Sequence, residues 1–153
     1  MMLSTVVQYA YLASGKAEGT TELNAFDGAL LAAGIGDLNL IRVTSIMPRR
    51  VSLLEKVPTL EQGDFVLAVY GARTSTVPGK MIASAVGVGR AEDGFGVVME
   101  AQGASEAEVE ADVQAKVEAA FRIRGIRPTE VRVAAVEHQV ERCGGVVAAC
   151  LFF

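Results

Sequence analysis

Apolar and polar positions change rhythm several times along the chain. Val6–Ala13 alternates loosely, which suits a half-buried strand. It runs into the turn-rich segment SGKAEGTTELN, where Thr21 or Asn24 can cap a helix beginning near Ala25. AFDGALLAAGIGD reads as that helix, short, rich in alanine and leucine, and closed by Gly34 or Gly36. Leu38–Ile46 returns to a strand, and Pro48–Gly63, with its RR and EK pairs, reads as a polar surface connection. DFVLAVYGARTS, KMIASAVGVGR and FGVVMEAQG follow as three strands, joined by the turn segments TVPG and AEDG. SEAEVEADVQAKVEAAFRIRG places Ser105 at a cap position, acids in the first turn, and Val109, Val113, Val117 and Phe121 at steps of four. It predicts an amphipathic helix closed by Gly125. EVRVAAVEHQV and GGVVAACLFF complete the pattern as two strands.

Two helices cannot cover both faces of one parallel sheet of this size, so the order predicts an α+β sandwich. A chain of 153 residues, 51% hydrophobic, suits a single domain over residues 1–153 with a substantial core. Its sixteen glycines against four prolines indicate tight turns and close backbone approaches rather than linkers.

Charge narrows the classes of partner. A formal net charge of −4, with basic residues only in small groups such as RRVSLLEK and RIRGIR, argues against a nucleic-acid partner. The N-terminal stretch has no basic region ahead of its apolar residues and alternates like a strand, and no apolar run is long enough to span a bilayer. A cytoplasmic protein without membrane attachment is expected. Cys143 and Cys150 show neither zinc-ligand nor CxxC spacing, so they are expected as reduced, buried thiols, with no metal site.

The candidate chemistry is sparse. GIGDLN and GVGRAEDG lack the strand, GxGxxG and helix context that cradles a pyrophosphate. His138, the only histidine, lies mid-strand and is expected to be a hydrogen-bonded structural residue. Asp27 is the only charge between Ala25 and Ile35. Glu100 ends an otherwise apolar strand, and in a buried cleft desolvation would favour its protonated form and suit it to donate a proton. Thr44 and Ser45 put two hydroxyls at a strand end stopped by Pro48, with Asn39 nearby in sequence. Taken singly, each has an ordinary structural explanation.

Together they carry a resemblance. The runs LNAFDGALLAAGIGDLNLIRVTSIMP, VPGKMIASAVGVG, GVVMEAQG and AVEHQVERCGGVVAA resemble, in order, the pyruvoyl-dependent arginine decarboxylases of archaea and some bacteria, from about Ala13 to the C-terminus. The resemblance implies a four-layer α/β/β/α sandwich of mainly antiparallel sheets, assembled as a trimer or dimer of trimers with sites between neighbouring subunits. It implies self-cleavage between Thr44 and Ser45, giving chains 1–44 and 45–153, and conversion of Ser45 into a covalent pyruvoyl group, with no external cofactor. Conversion of L-arginine to agmatine and CO₂ for polyamine biosynthesis is the implied activity. By the same likeness Asn39 donates to the oxyanion formed at Thr44, Glu100 returns a proton to the substrate, and Asp27 holds the guanidinium. Leu30, Gly36 and Leu38 line that pocket. Two alternatives stand beside this reading: an uncleaved, non-catalytic paralogue acting as a binding or regulatory subunit, and a decarboxylase for another amino acid. The chain also departs from the family pattern. Thr44 replaces a second serine, Ala101 and Gln102 stand where some members are acidic, and RRVSLLEKVPTL is less proline-rich.

Overall fold

A computed structural model describes residues 7–57 and 59–153. Nine strands and two helices appear among them: β1 (Tyr9–Glu18), α1 (Glu22–Ala32), β2 (Asn39–Arg42), β3 (Ile46–Met47), β4 (Ser52–Leu54), β5 (Phe65–Ser75), β6 (Met81–Arg90), β7 (Gly96–Gly103), α2 (Glu106–Ile123), β8 (Glu130–Gln139) and β9 (Gly144–Phe152). The strands form two sheets, one of five in the order β2-β5-β9-β1-β4 and one of four in the order β3-β7-β6-β8. The smaller sheet is antiparallel throughout; the larger has two parallel pairings, β1 with β4 and β2 with β5.

Each helix forms because its ends are capped and one face has an apolar layer to cover. Thr21 caps α1 by accepting from the Asn24 N–H at 3.1 Å. Gly34, at φ +80°, closes it: the Gly34 N–H donates to the Leu31 carbonyl and the Ile35 N–H to the Leu30 carbonyl, both at 3.0 Å. Ser105 caps α2 by accepting from the Glu108 N–H at 3.2 Å, and the Glu108 carboxylate reaches back to the Ala104 N–H at 3.1 Å.

The core has three apolar layers, as a four-layer α/β/β/α sandwich requires. Ala25, Ala29 and Leu30 of α1 cover one face of the five-stranded sheet, against Val147, Ala149 and Leu151. Val109, Val113, Val117 and Phe121 of α2, the residues the four-step spacing selects, cover the four-stranded sheet. Full burial of each such side chain is worth roughly 1.5–3 kcal/mol. Met47, Val69, Val86, Val98 and Cys150 fill the layer between the sheets. β9 is covered on both faces and is buried throughout, which explains its unbroken apolar run.

Three local expectations change. β1 continues through the turn-rich SGKAE to Glu18, because pairing with β9 extends from Ala10 to Glu18 and tertiary pairing overrides local turn propensity. The predicted start at Val6 lies outside the described residues. The polar connection after Pro48 contains β4, which pairs with β1 and covers its open edge. The single strand Leu38–Ile46 is broken: β2 ends at Arg42 and β3 begins at Ile46 in the other sheet.

Both cysteines are free and buried, and burial pushes the Cys150 thiol up to about 12. His138 is hydrogen-bonded as expected. Its Nε2 lies 2.6 Å from a carboxylate oxygen of Glu18, joining β8 to β1 across the sandwich. Among the described residues no helix is long and apolar enough to cross a membrane.

Candidate active site

The break in the predicted strand is a change of sheet. β2 pairs with β5 in the larger sheet, whereas β3 pairs with β7 in the smaller one. Val43 still belongs to the first, since its N–H donates to the Ala68 carbonyl at 3.0 Å. Ser45 already belongs to the second, its carbonyl accepting from the Val98 N–H at 2.7 Å. Thr44 lies between them, exposed and in neither ladder. At this crossing the half-buried Ser45 donates its hydroxyl proton to the Thr44 carbonyl oxygen. The hydroxyl is thereby held against the peptide immediately before it.

Glu100 reaches the same region by strand parity. Along β7, Val97, Met99 and Ala101 face α2, so Val98, Glu100 and Gln102 face the larger sheet. A glycine, Gly71, stands opposite: a Cβ there would meet Gln102 Nε2 and come within 3.2 Å of Glu100 Cγ. The missing side chain is what lets both polar side chains lie between the sheets. The main chain at Glu100 is held as well. β3 pairs with Gly96 and Val97, so among the described residues no strand covers the outer edge of β7 at Glu100, and Lys116 of α2 donates to the Glu100 carbonyl at 3.0 Å. Lys116 in turn lies 3.0 Å from Asp112, one helical turn earlier.

Thr44 and Glu100 line one cleft of about 400 Å³, together with Arg42, Val43, Val69 and Tyr70. The Arg42 guanidinium lies 4.1 Å from the centre of the Tyr70 ring, and the Tyr70 ring packs 6.3 Å from Phe26 of α1. Asn39, Gly36 and Leu38 are elsewhere. Gly36 and Leu38 line a second cleft of about 230 Å³ at the C-terminal end of α1, shared with Leu31 and Gln62. Asn39 begins β2 and donates its side-chain amide to the Gly63 carbonyl at 2.9 Å. Four residues separate it from Thr44, a span of roughly 16–17 Å if the chain is fully extended. Asp27 is exposed on α1. Leu30 is turned by the helical period into the core against the larger sheet, and Leu31 rather than Leu30 opens on the second cleft.

The chain therefore carries two groups of predicted site residues. Thr44, Ser45 and Glu100 form one, and Gly36, Leu38 and Asn39 the other, at opposite ends of β2. Sequence reasoning missed Gly71, Arg42 and Tyr70. A glycine inside the strand run VLAVYGART and an arginine ending NLIR were the available signals.

The fold is thus a two-layer sheet sandwich flanked by helices, with the Ser45 hydroxyl against the preceding carbonyl where the chain crosses between the sheets. The family profile described as pyruvoyl-dependent arginine decarboxylase matches residues 9–153, and the chain belongs to that family. It is 40% identical over 149 residues to the pyruvoyl-dependent arginine decarboxylase of Methanothermobacter thermautotrophicus, covering 96% of this chain and 97% of the relative. To that of Methanocaldococcus jannaschii it is 43% identical over 141 residues, 90% and 85% of the two chains. To that of Pyrococcus abyssi it is 35% identical over 153 residues, 97% of each.

Proposed function

We propose that the protein is a self-processing decarboxylase that converts L-arginine to agmatine and CO₂, using a pyruvoyl group made from its own Ser45. The observation that carries this reading is the Ser45 hydroxyl set against the Thr44 carbonyl, beside a cleft lined by Thr44 and Glu100. Ser45 fits the precursor role because its nucleophile and the bond it must attack are already adjacent, which replaces a bimolecular encounter by an intramolecular one.

In this reading Ser45 Oγ adds to the Thr44 carbonyl carbon, the Thr44–Ser45 C–N bond breaks, and the hydroxyl proton passes to the freed nitrogen. The amide has become an ester. Loss of the Ser45 Cα proton then expels the Thr44 carboxylate from Cβ, and addition of one water to residue 45 with release of one ammonia leaves the pyruvoyl group. Thr44 is β-branched, which crowds the attacked carbonyl and slows this step relative to serine at the same position.

The finished group supplies an electron sink for loss of CO₂ from the substrate's α-carbon. The remaining work falls to the side chains. Glu100 returns a proton to that α-carbon. Asp27 holds the guanidinium through charge-assisted hydrogen bonds. Gly36 and Leu38 shape the pocket, with Leu30 supporting it from the core, and Asn39 donates to the oxyanion formed at Thr44. Because the two groups of residues lie at opposite ends of β2, each complete site is assembled from two copies, the Asn39 end of one meeting the Ser45 end of the next. A trimer or dimer of trimers meets this requirement, in the cytoplasm and feeding polyamine synthesis.

Intact-mass measurement of the purified protein, paired with an agmatine assay, tests the reading. Two fragments ending at Thr44 and beginning at a blocked residue 45 are expected, with agmatine formed from arginine. A single uncut chain after prolonged warming identifies a non-catalytic paralogue instead.

A further inference from the structure

We propose that Arg42 is the counter-ion for the carboxylate that self-cleavage creates on Thr44. The inference rests on the function proposed above, because only the cut produces that group. Before cleavage the Thr44 carbonyl is neutral and accepts from Ser45. Afterwards it is a full negative charge facing the cleft that also holds Glu100. Two carboxylates in one cleft repel each other, and each resists ionisation of the other. A cation beside the new chain end removes that conflict and keeps the end from swinging across the space the substrate must enter.

Arg42 has the position and the chemistry for this. It is the last residue of β2, two before Thr44, and lines the same cleft. Main-chain pairing holds the chain extended as far as Val43, so the Arg42 and Thr44 Cα atoms are separated by about 7 Å, within reach of an arginine side chain. Its guanidinium carbon lies 4.1 Å from the centre of the Tyr70 ring, a cation–π contact that restricts its motion. Among the described residues it makes no ion pair, whereas Arg49 and Arg132 are each taken by an acid. Arg42 is thus a cation held beside the peptide that is to be cut, and a C-terminal carboxylate offers the two oxygens its fork can engage.

The test is a double-mutant cycle in thermal stability. Arg42→Gln is made in the cut, otherwise wild-type protein and in the uncut Ser45→Ala protein, and cleavage is checked by mass in every sample. The expected loss of Tm is larger in the cut background, by about 2–4 °C for a partly exposed pair in a protein of this size. The excess shrinks in 1 M salt, and Arg42→Lys retains part of it. Equal losses in the two backgrounds overturn the proposal. So does an Arg42→Gln or Arg42→Lys chain that folds but no longer cuts, since Arg42 then acts before the carboxylate exists. Equal losses accompanied by a raised KM for arginine assign the guanidinium to the substrate's carboxylate instead. Should the wild-type chain itself stay uncut, the proposed function fails and the Arg42 role goes with it; a cut, active wild type with equal losses removes the Arg42 role alone.

Discussion

Glu100 and Gly71 face each other across the gap between the two sheets, with only 3.2 Å between Glu100 Cγ and the place where a Cβ on residue 71 would stand. Gly71→Ala fills that space. The Gln102 amide can swing away, but Glu100 must give by a few tenths of an ångström. Cleavage is expected to proceed, while kcat for arginine falls by about tenfold or more from misplacement of the acid, with a smaller change in KM. Initial rates on protein shown by mass to be fully cut decide the matter, and wild-type kcat would remove Gly71 from the site.

Ser45→Ala is expected to retain the fold and to lose both cleavage and activity, as checked by intact mass and an agmatine assay. Alanine has neither the nucleophile for the acyl shift nor an oxygen to leave in the elimination. The side chain is only half-buried, so little packing is lost. Fragments ending at Thr44 in this variant would place the cleavage chemistry on another residue.

Much of the fold was legible because it depends on short-range pattern. Ser105, the valines at 109, 113 and 117, and Phe121 announce α2, and the same residues pack its sheet. The break at Val43–Ser45 was not legible. Val43 is apolar and β-branched, so the run reads on as one strand, and only the competition between β5 and β7 for its backbone ends it. Ser45 and Glu100 stood out locally, as a hydroxyl at a strand end and as a lone acid. The features that position Glu100, Gly71 opposite it and Lys116 on its carbonyl, depend on contacts between distant segments that leave no local periodicity.

The Glu18–His138 contact gives the protein a defined acid response. The His138 hydrogen bond, aided by the Arg142 and Cys143 N–H groups and opposed by burial, holds the Glu18 carboxyl down at about 2 from an ordinary 4.5. A depressed carboxyl stabilises the folded state fully above its unfolded value and loses that contribution as pH falls through its folded one. Glu18→Gln should therefore melt below wild type at pH 7, and the gap should narrow between about pH 4.5 and pH 2. Melting curves across that range measure it; a gap of constant size would mean that Glu18 charge contributes nothing.

Asp27→Asn separates recognition from maturation. The residue is exposed on α1 and away from the Ser45 crossing in sequence, so cleavage should be normal. Removing a charge-assisted contact to guanidinium, usually about 1.5–3 kcal/mol, should raise the half-saturating arginine concentration by roughly ten- to a hundredfold and weaken discrimination against neutral analogues. An unchanged half-saturation contradicts the assignment.

Glu100→Gln tests the step after CO₂ is lost. Glutamine preserves the size of the side chain and its fit against Gly71, but has no acidic proton to give to the α-carbon. If Glu100 serves turnover rather than maturation, the chain still cuts and still binds arginine, while agmatine release slows by about 10² to 10⁴, the range for loss of a general acid. Repeating the measurement in deuterated solvent sharpens the comparison. Where Glu100 delivers the proton in the slow step, wild type shows a solvent isotope effect that the glutamine variant alters. Fully cut Glu100→Gln protein turning over at the wild-type rate with the same isotope effect would assign the proton to another group in the cleft, with Tyr70 the first to examine.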